Sequence, residues 1–202
     1  MKAARTPILI IGICLMMSAG FGSAQVTETS TPAALIPDHT CTDGTNGLGG
    51  ITDQITFSQS GTIDDVNVSL DITHTWRSDL QISLLYNSVR SVLILDPDTS
   101  GDNLFVTFDD DTAVQCGDST SACGSSTSTN CTDDANRVSC KAYDGAADVL
   151  LDTNYGGMSS TLGAWTLEVC DDASGDTGTL DSWSITLEGT GLPVELMSFD
   201  IH

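Results

Sequence analysis

Positive charge is the scarcest commodity in this sequence. Lys and Arg together number six against 28 Asp and Glu, giving a formal net charge of -22 and a pI near 4.1. Two of the six, Lys2 and Arg5, fall within the first 24 residues, so four basic residues face 28 acids over the rest of the chain. Phosphate backbones would be repelled, which excludes nucleic acid as a partner. Glutamate is also rare. Only Glu28, Glu168, Glu188 and Glu195 occur, and every other acid is aspartate, whose short carboxylate favours turns and hard-cation sites over helices.

Long apolar runs are nearly absent. The one exception, Ile8 to Met17, follows Lys2 and Arg5 and is followed by the small residues Gly22, Ser23 and Ala24. That layout is the one expected of a cleavable signal peptide over residues 1–24, with export as its consequence. The run is too short to cross a hydrocarbon core of about 30 Å, and no second run follows, so no membrane span is expected. Cys14 lacks the context of a lipoprotein cleavage site.

Helical periodicity is missing as well. Beyond the signal segment no ten-residue stretch holds an i, i+3, i+4, i+7 pattern. Apolar residues instead recur at every second position: Val66, Val68, Leu70, Ile72; Leu80, Ile82, Leu84; Leu104, Val106, Phe108; Trp165, Leu167, Val169; and Trp183, Ile185, Leu187. Asp, Gly, Ser and Asn clusters separate these runs, the pattern of half-buried antiparallel strands joined by turns. The expected fold is all-β, an antiparallel jelly-roll-like β-sandwich forming a single domain over residues 36–190. Residues 25–35, rich in Thr, Ser and Pro, read as an extended leader. Residues 191–202 read as a C-terminal linker or sorting stub, with a last strand as the alternative.

Six cysteines follow the signal segment: Cys41, Cys116, Cys123, Cys131, Cys140 and Cys170. An even count in an exported chain points to disulfides. Four crowd into 116–140, a loop insert otherwise made of Ser, Thr, Asp, Gly and Asn, which cannot build a core and needs crosslinks. Their gaps are too wide for the usual zinc knuckle. Six cysteines allow about 15 pairings; the expectation is that the clustered four pair among themselves and Cys41 pairs with Cys170.

Two segments resemble one family. Gly61-Thr-Ile-Asp-Asp-Val-Asn-Val-Ser-Leu-Asp-Ile-Thr-His74-Thr-Trp-Arg-Ser-Asp79-Leu80 is similar to the P (Homo B) domain of subtilisin-like, kexin/furin-type proprotein convertases. Gly163-Ala-Trp165-Thr-Leu167-Glu-Val169-Cys-Asp171, continued by Gly175-Asp176-Thr-Gly178-Thr-Leu180-Asp-Ser-Trp183, resembles the same family's terminal signature. Phe108-Asp109-Asp110 looks like its Phe-Asp-Asp element. Asn87-Ser88-Val89-Arg90 departs from the family's Pro-x-Gly-Thr turn. The resemblance implies a non-catalytic module that follows and stabilises a serine-type endopeptidase domain, with calcium as cofactor and a subtilisin-like protease domain or its substrate as protein partner. A detached C-terminal part of a larger protease and a surface adhesion module are the alternatives.

The side chains themselves agree with a non-enzymatic role. His74 stands alone in the strand-forming region, and no subtilisin-type Gly-Thr-Ser-x-Ala motif accompanies it. Trp165 and Trp183 keep phase with apolar neighbours and read as core, whereas Trp76 sits between Thr75 and Arg77 in a polar turn open to surface contact. The candidate metal ligands are Asp79, Asp109, Asp110, Asp171 and Asp176. All lie at strand ends, where calcium could offset their mutual repulsion.

Overall fold

A computed structural model describes residues 23–42, 49–95, 101–116 and 131–193. The alternating runs become β-strands. In chain order these are β1 (Ala24–Ser30), β2 (Ala34–Ile36), β3 (Ile51–Thr56), β4 (Thr62–His74), β5 (Leu80–Tyr86), β6 (Val89–Leu95), β7 (Leu104–Phe108), β8 (Val138–Cys140), β9 (Ala142–Tyr143), β10 (Asp148–Val149), β11 (Ala164–Asp171) and β12 (Gly178–Thr190). A short helix α1 (Leu151–Tyr155) interrupts the series. One sheet has the order β1-β12-β4-β7-β8, with β2 also on β12; the other runs β10-β9-β6-β5-β11-β3.

The core lies between the sheets because period-2 patterning puts one set of side chains on each inner face. Val66, Val68, Leu70 and Ile72 of β4 meet Leu80, Ile82 and Leu84 of β5, Leu167 and Val169 of β11, and Trp183, Ile185 and Leu187 of β12 in one buried cluster. Trp165 is 0 % exposed and stacks on Tyr86 with ring centroids 3.8 Å apart, while Tyr155 packs edge-on against both. Both tryptophans expected in the core are there.

Three details differ from the sequence reading. Pairing is not wholly antiparallel, since the short β8 and β9 run parallel to β7 and β6. The residues read as a leader are extended but not outside the sandwich: β1 pairs with β12 from Ala24↔Gly189 to Ser30↔Trp183, and β2 pairs with β12 further along. Backbone hydrogen bonding recruits that polar edge, and Ala24 is buried. Finally, Asn87 and Ser88 both have positive φ, 46° and 66°, so the β5–β6 connection is a two-residue hairpin of the kind that right-handed strand twist favours, built without the family's proline. Residues 1–22 of the signal peptide expected over 1–24, and residues 194–202 of the stub expected over 191–202, lie outside the described residues.

Disulfides join Cys41 to Cys170 and Cys116 to Cys140, as expected, and Cys131 is also disulfide-bonded. Cys123 lies outside the described residues.

Candidate functional site

Strand direction decides where the acids go. β4 ends at His74 and a 3-10 turn, Arg77–Asp79, carries the chain across to β5. β5 and β11 are antiparallel with Asp171 opposite Leu80, so the start of one meets the end of the other. Asp79, Asp171 and Asp176 therefore come to one end of the sandwich. β7 is antiparallel to β4 with Phe108 opposite Val68, which carries Asp109 and Asp110 towards the other end. From Val66 to His74 at about 3.3 Å per residue the two groups are roughly 26 Å apart. The five aspartates divide into two sets and do not form one shell.

At the first end the carboxylates are already engaged. Asp171, fully buried, takes His74 Nε2 on Oδ2 at 3.1 Å and accepts the Ala173 N–H on Oδ1 at 3.0 Å. Its carbonyl accepts the N–H groups of Thr40 and Cys41 at 2.7 and 3.0 Å. His74 Nδ1 lies 2.9 Å from the Trp76 carbonyl oxygen and 3.1 Å from the Trp76 N–H, and Nε2 faces Asp171, so both ring nitrogens are engaged whichever of them carries the hydrogen. Gly178 passes over the imidazole, and a Cβ there would collide with the ring. Asp79 accepts from Ser78 Oγ, Asp176 accepts from Thr75 Oγ1 at 2.7 Å, and the Asp172 N–H donates to the Asp79 carbonyl at 2.8 Å. Burial, and then the nearby Asp171, push the Asp79 carboxyl upward; burial does the same to Asp171 against the pull of the Ala173 N–H and His74. Arg77 is buried beneath the 101–103 segment, its Nη1 donating to the Asp102 and Asn103 carbonyls at 3.4 and 3.5 Å.

This His–Asp pair has two members of a hydrolytic triad, and no nucleophile joins it among the described residues. Both ring nitrogens face Asp171 and the Trp76 backbone, and among the described residues no hydroxyl or thiol is hydrogen-bonded to the imidazole. A triad base must be bonded to its nucleophile. His74 acts as a buried clamp on the β4–β5 turn.

At the second end charge is uncompensated. Asp152, in the first turn of α1, donates its N–H to Asp110 Oδ2 at 2.9 Å and accepts the Val66 N–H at 2.8 Å. Asp65 accepts from Asn67 Nδ2 at 2.8 Å, and Asp109 accepts the Asp111 N–H at the same distance. The Asp110 Oδ1 and Asn67 Oδ1 atoms are buried without a hydrogen-bond partner. Burial first, then Asp152, Glu188, Asp111 and Asp109, push the Asp65 carboxyl up to about 7. Asp152 is raised by burial and by Asp110, against the Val66 N–H. Among the described residues, however, no three His, Cys, Asp or Glu side chains converge as a metal shell. Sequence reasoning missed Asp65 and Asp152; the Asp64-Asp65 pair opening β4 was the available signal.

The proprotein convertase P-domain family model matches residues 141–187, from β9 to near the end of β12. That stretch is similar to P-domain sequence. It contains the terminal Gly163–Trp183 signature, whereas the Gly61–Leu80 and Phe108–Asp110 elements lie outside the matched span. The P domain is a non-catalytic module of subtilisin-like proteases. No curated protein sequence matches the chain. Among solved structures, the Aeromonas sobria serine protease in complex with the chaperone is similar at 20 % identity and a TM-score of 0.47, over 84 % of this chain and 27 % of that one. The Aeromonas sobria serine protease alone gives 18 % identity and the same TM-score, over 83 % and 27 %. The chain spans about a quarter of the length of those proteases.

Proposed function

We propose that this P domain is an exported, non-catalytic accessory module that binds and stabilises a subtilisin-like serine endopeptidase. The P-domain match over 141–187 carries this reading, and the His74–Asp171 pair, spent on backbone and on itself, supports the absence of an active site of its own. Adding the purified domain to the secreted serine-peptidase activity of its source organism should lengthen the half-life of that activity on heating. An unchanged half-life over a range of added domain contradicts the reading.

Calcium is the proposed stabilising ion, acting at the Asp65, Asp110 and Asp152 end, whose carboxylates it would have to draw together into a shell, rather than through the five-residue set. Support comes from the unpartnered Asp110 Oδ1 and from the like charges crowding Asp65. A bound cation would neutralise that repulsion. With chelator present, melting should be higher at pH 5 than at pH 7.5. Asp65 keeps its proton in the fold up to about 7 but loses it near 3.8 when unfolded, so the stability present below about 4 is lost as pH rises through 7. At pH 7.5, calcium at a hundredfold above its Kd should add about 2.7 kcal/mol, or roughly 5 to 10 °C for a chain of this size. Identical melting in calcium, magnesium and chelator removes the ion from the account.

A further inference from the structure

The four basic residues of the described chain are largely withdrawn from the surface. Arg77 is 0 % exposed, Arg90 pairs with Glu168, and Arg137 pairs with Asp71 and Asp134. Lys141 has no ion pair among the described residues. Acids far outnumber these four bases and most of them stay at least partly exposed, so the surface field is strongly negative and favours positively charged partners.

One point on that surface is built to be touched. Trp76 is 41 % exposed, against 0 % for Trp165 and 1 % for Trp183. An exposed indole at a polar turn would ordinarily be mobile, yet this turn is fixed from beneath. His74 takes the Trp76 N–H, Asp171 holds His74, and Arg77 is buried under Gly101 with its N–H on the Gly101 carbonyl at 2.9 Å. Leu35, 75 % exposed, stands at the same end on the row Leu35–Thr179–Thr73, close along β4 to the turn. Asp176 is tied to the neighbouring Thr75, and Asp102 overlies Arg77. The nearest cation, Arg77, faces inward. An exposed tryptophan on a firmly held backbone is the residue type that most often anchors an interface, and an indole face flanked by carboxylates is the receptor for a guanidinium or ammonium.

From this we infer that the Trp76 face docks a protein segment carrying arginine or lysine next to an apolar side chain, the cation on the indole and the apolar group towards Leu35. The inference rests on the reading of this domain as a partner-binding module and names the chemistry of the partner.

The probe is a synthetic peptide of alternating arginine and leucine, with an arginine-to-glutamine version as control, titrated into the domain at about 0.15 M salt. Because Trp76 is the exposed indole of the described residues, its emission reports the contact directly. The arginine peptide should bind and shift that emission, and the glutamine peptide should not. Trp76→Ala should weaken binding about tenfold, and Trp76→Phe should restore part of it. Asp176→Asn, which keeps an acceptor for Thr75, should weaken binding more than Asp64→Asn at the other end of the sandwich. Equal binding by Trp76→Ala, equal losses from Asp176→Asn and Asp64→Asn, or no binding by the parent each overturns the inference. If the domain protects a protease but ignores Trp76→Ala, the accessory role survives and this surface does not. Trp76-dependent peptide binding without protection of any protease gives the reverse.

Discussion

Replacing Asp171 by alanine should lower the unfolding free energy by about 3 to 5 kcal/mol, because removing one partner of a buried pair strands the other. His74 Nε2 would be left without its partner in the core, and the Ala173 N–H would lose its acceptor. For a chain of this size the loss corresponds to roughly 6 to 20 °C in Tm. Asp171→Asn retains an acceptor for the imidazole and should cost far less. His74→Ala should match the alanine effect at Asp171, and the double variant should fall well short of the sum, since both act on one contact. Urea denaturation of the four proteins measures this. A loss below about 0.5 kcal/mol for Asp171→Ala is the size expected of an unremarkable surface position, and it would show that the pair does not clamp the turn.

The disulfides give the second large effect. Cys41–Cys170 closes a sequence separation of 129 residues, and Cys116–Cys140 one of 24. On the chain-entropy estimate the first restricts the unfolded chain by about 5 kcal/mol and the second by about 3.5 kcal/mol. The longer bridge also fixes the segment whose Thr40 and Cys41 N–H groups hold the Asp171 carbonyl, so its loss reaches the buried pair. Paired Cys→Ala variants should therefore rank with Cys41/Cys170 the more damaging. The reverse order in denaturation midpoints would contradict this.

Much of this was legible in the sequence. The period-2 runs mark the core strands because each must bury one face, and Val66 to Ile72 and Trp165 to Val169 do so. The edge strand β1 was not legible. It is held by backbone bonds to β12 and buries little beyond Ala24, so Gln25 to Ser30 show no apolar alternation to read. The grouping of the aspartates went astray for a topological reason. Asp79 follows β4, and Asp109 follows the antiparallel β7, so the two turns must lie at opposite ends. Which strands are neighbours is a long-range property, and strand periodicity does not carry it. His74 reads correctly as a structural polar residue, but its partner, Asp171, is 97 residues away and emerges only when β4 and β11 are brought into one end of the sandwich.

The proposed accessory role rests on this chain having no peptidase activity of its own. The purified chain, incubated with casein and with fluorogenic dibasic peptides, should release no product above the blank, and His74→Ala should be indistinguishable from the parent in that assay. Cleavage by the parent that persists through purification and disappears in a folded His74→Ala variant would contradict the account.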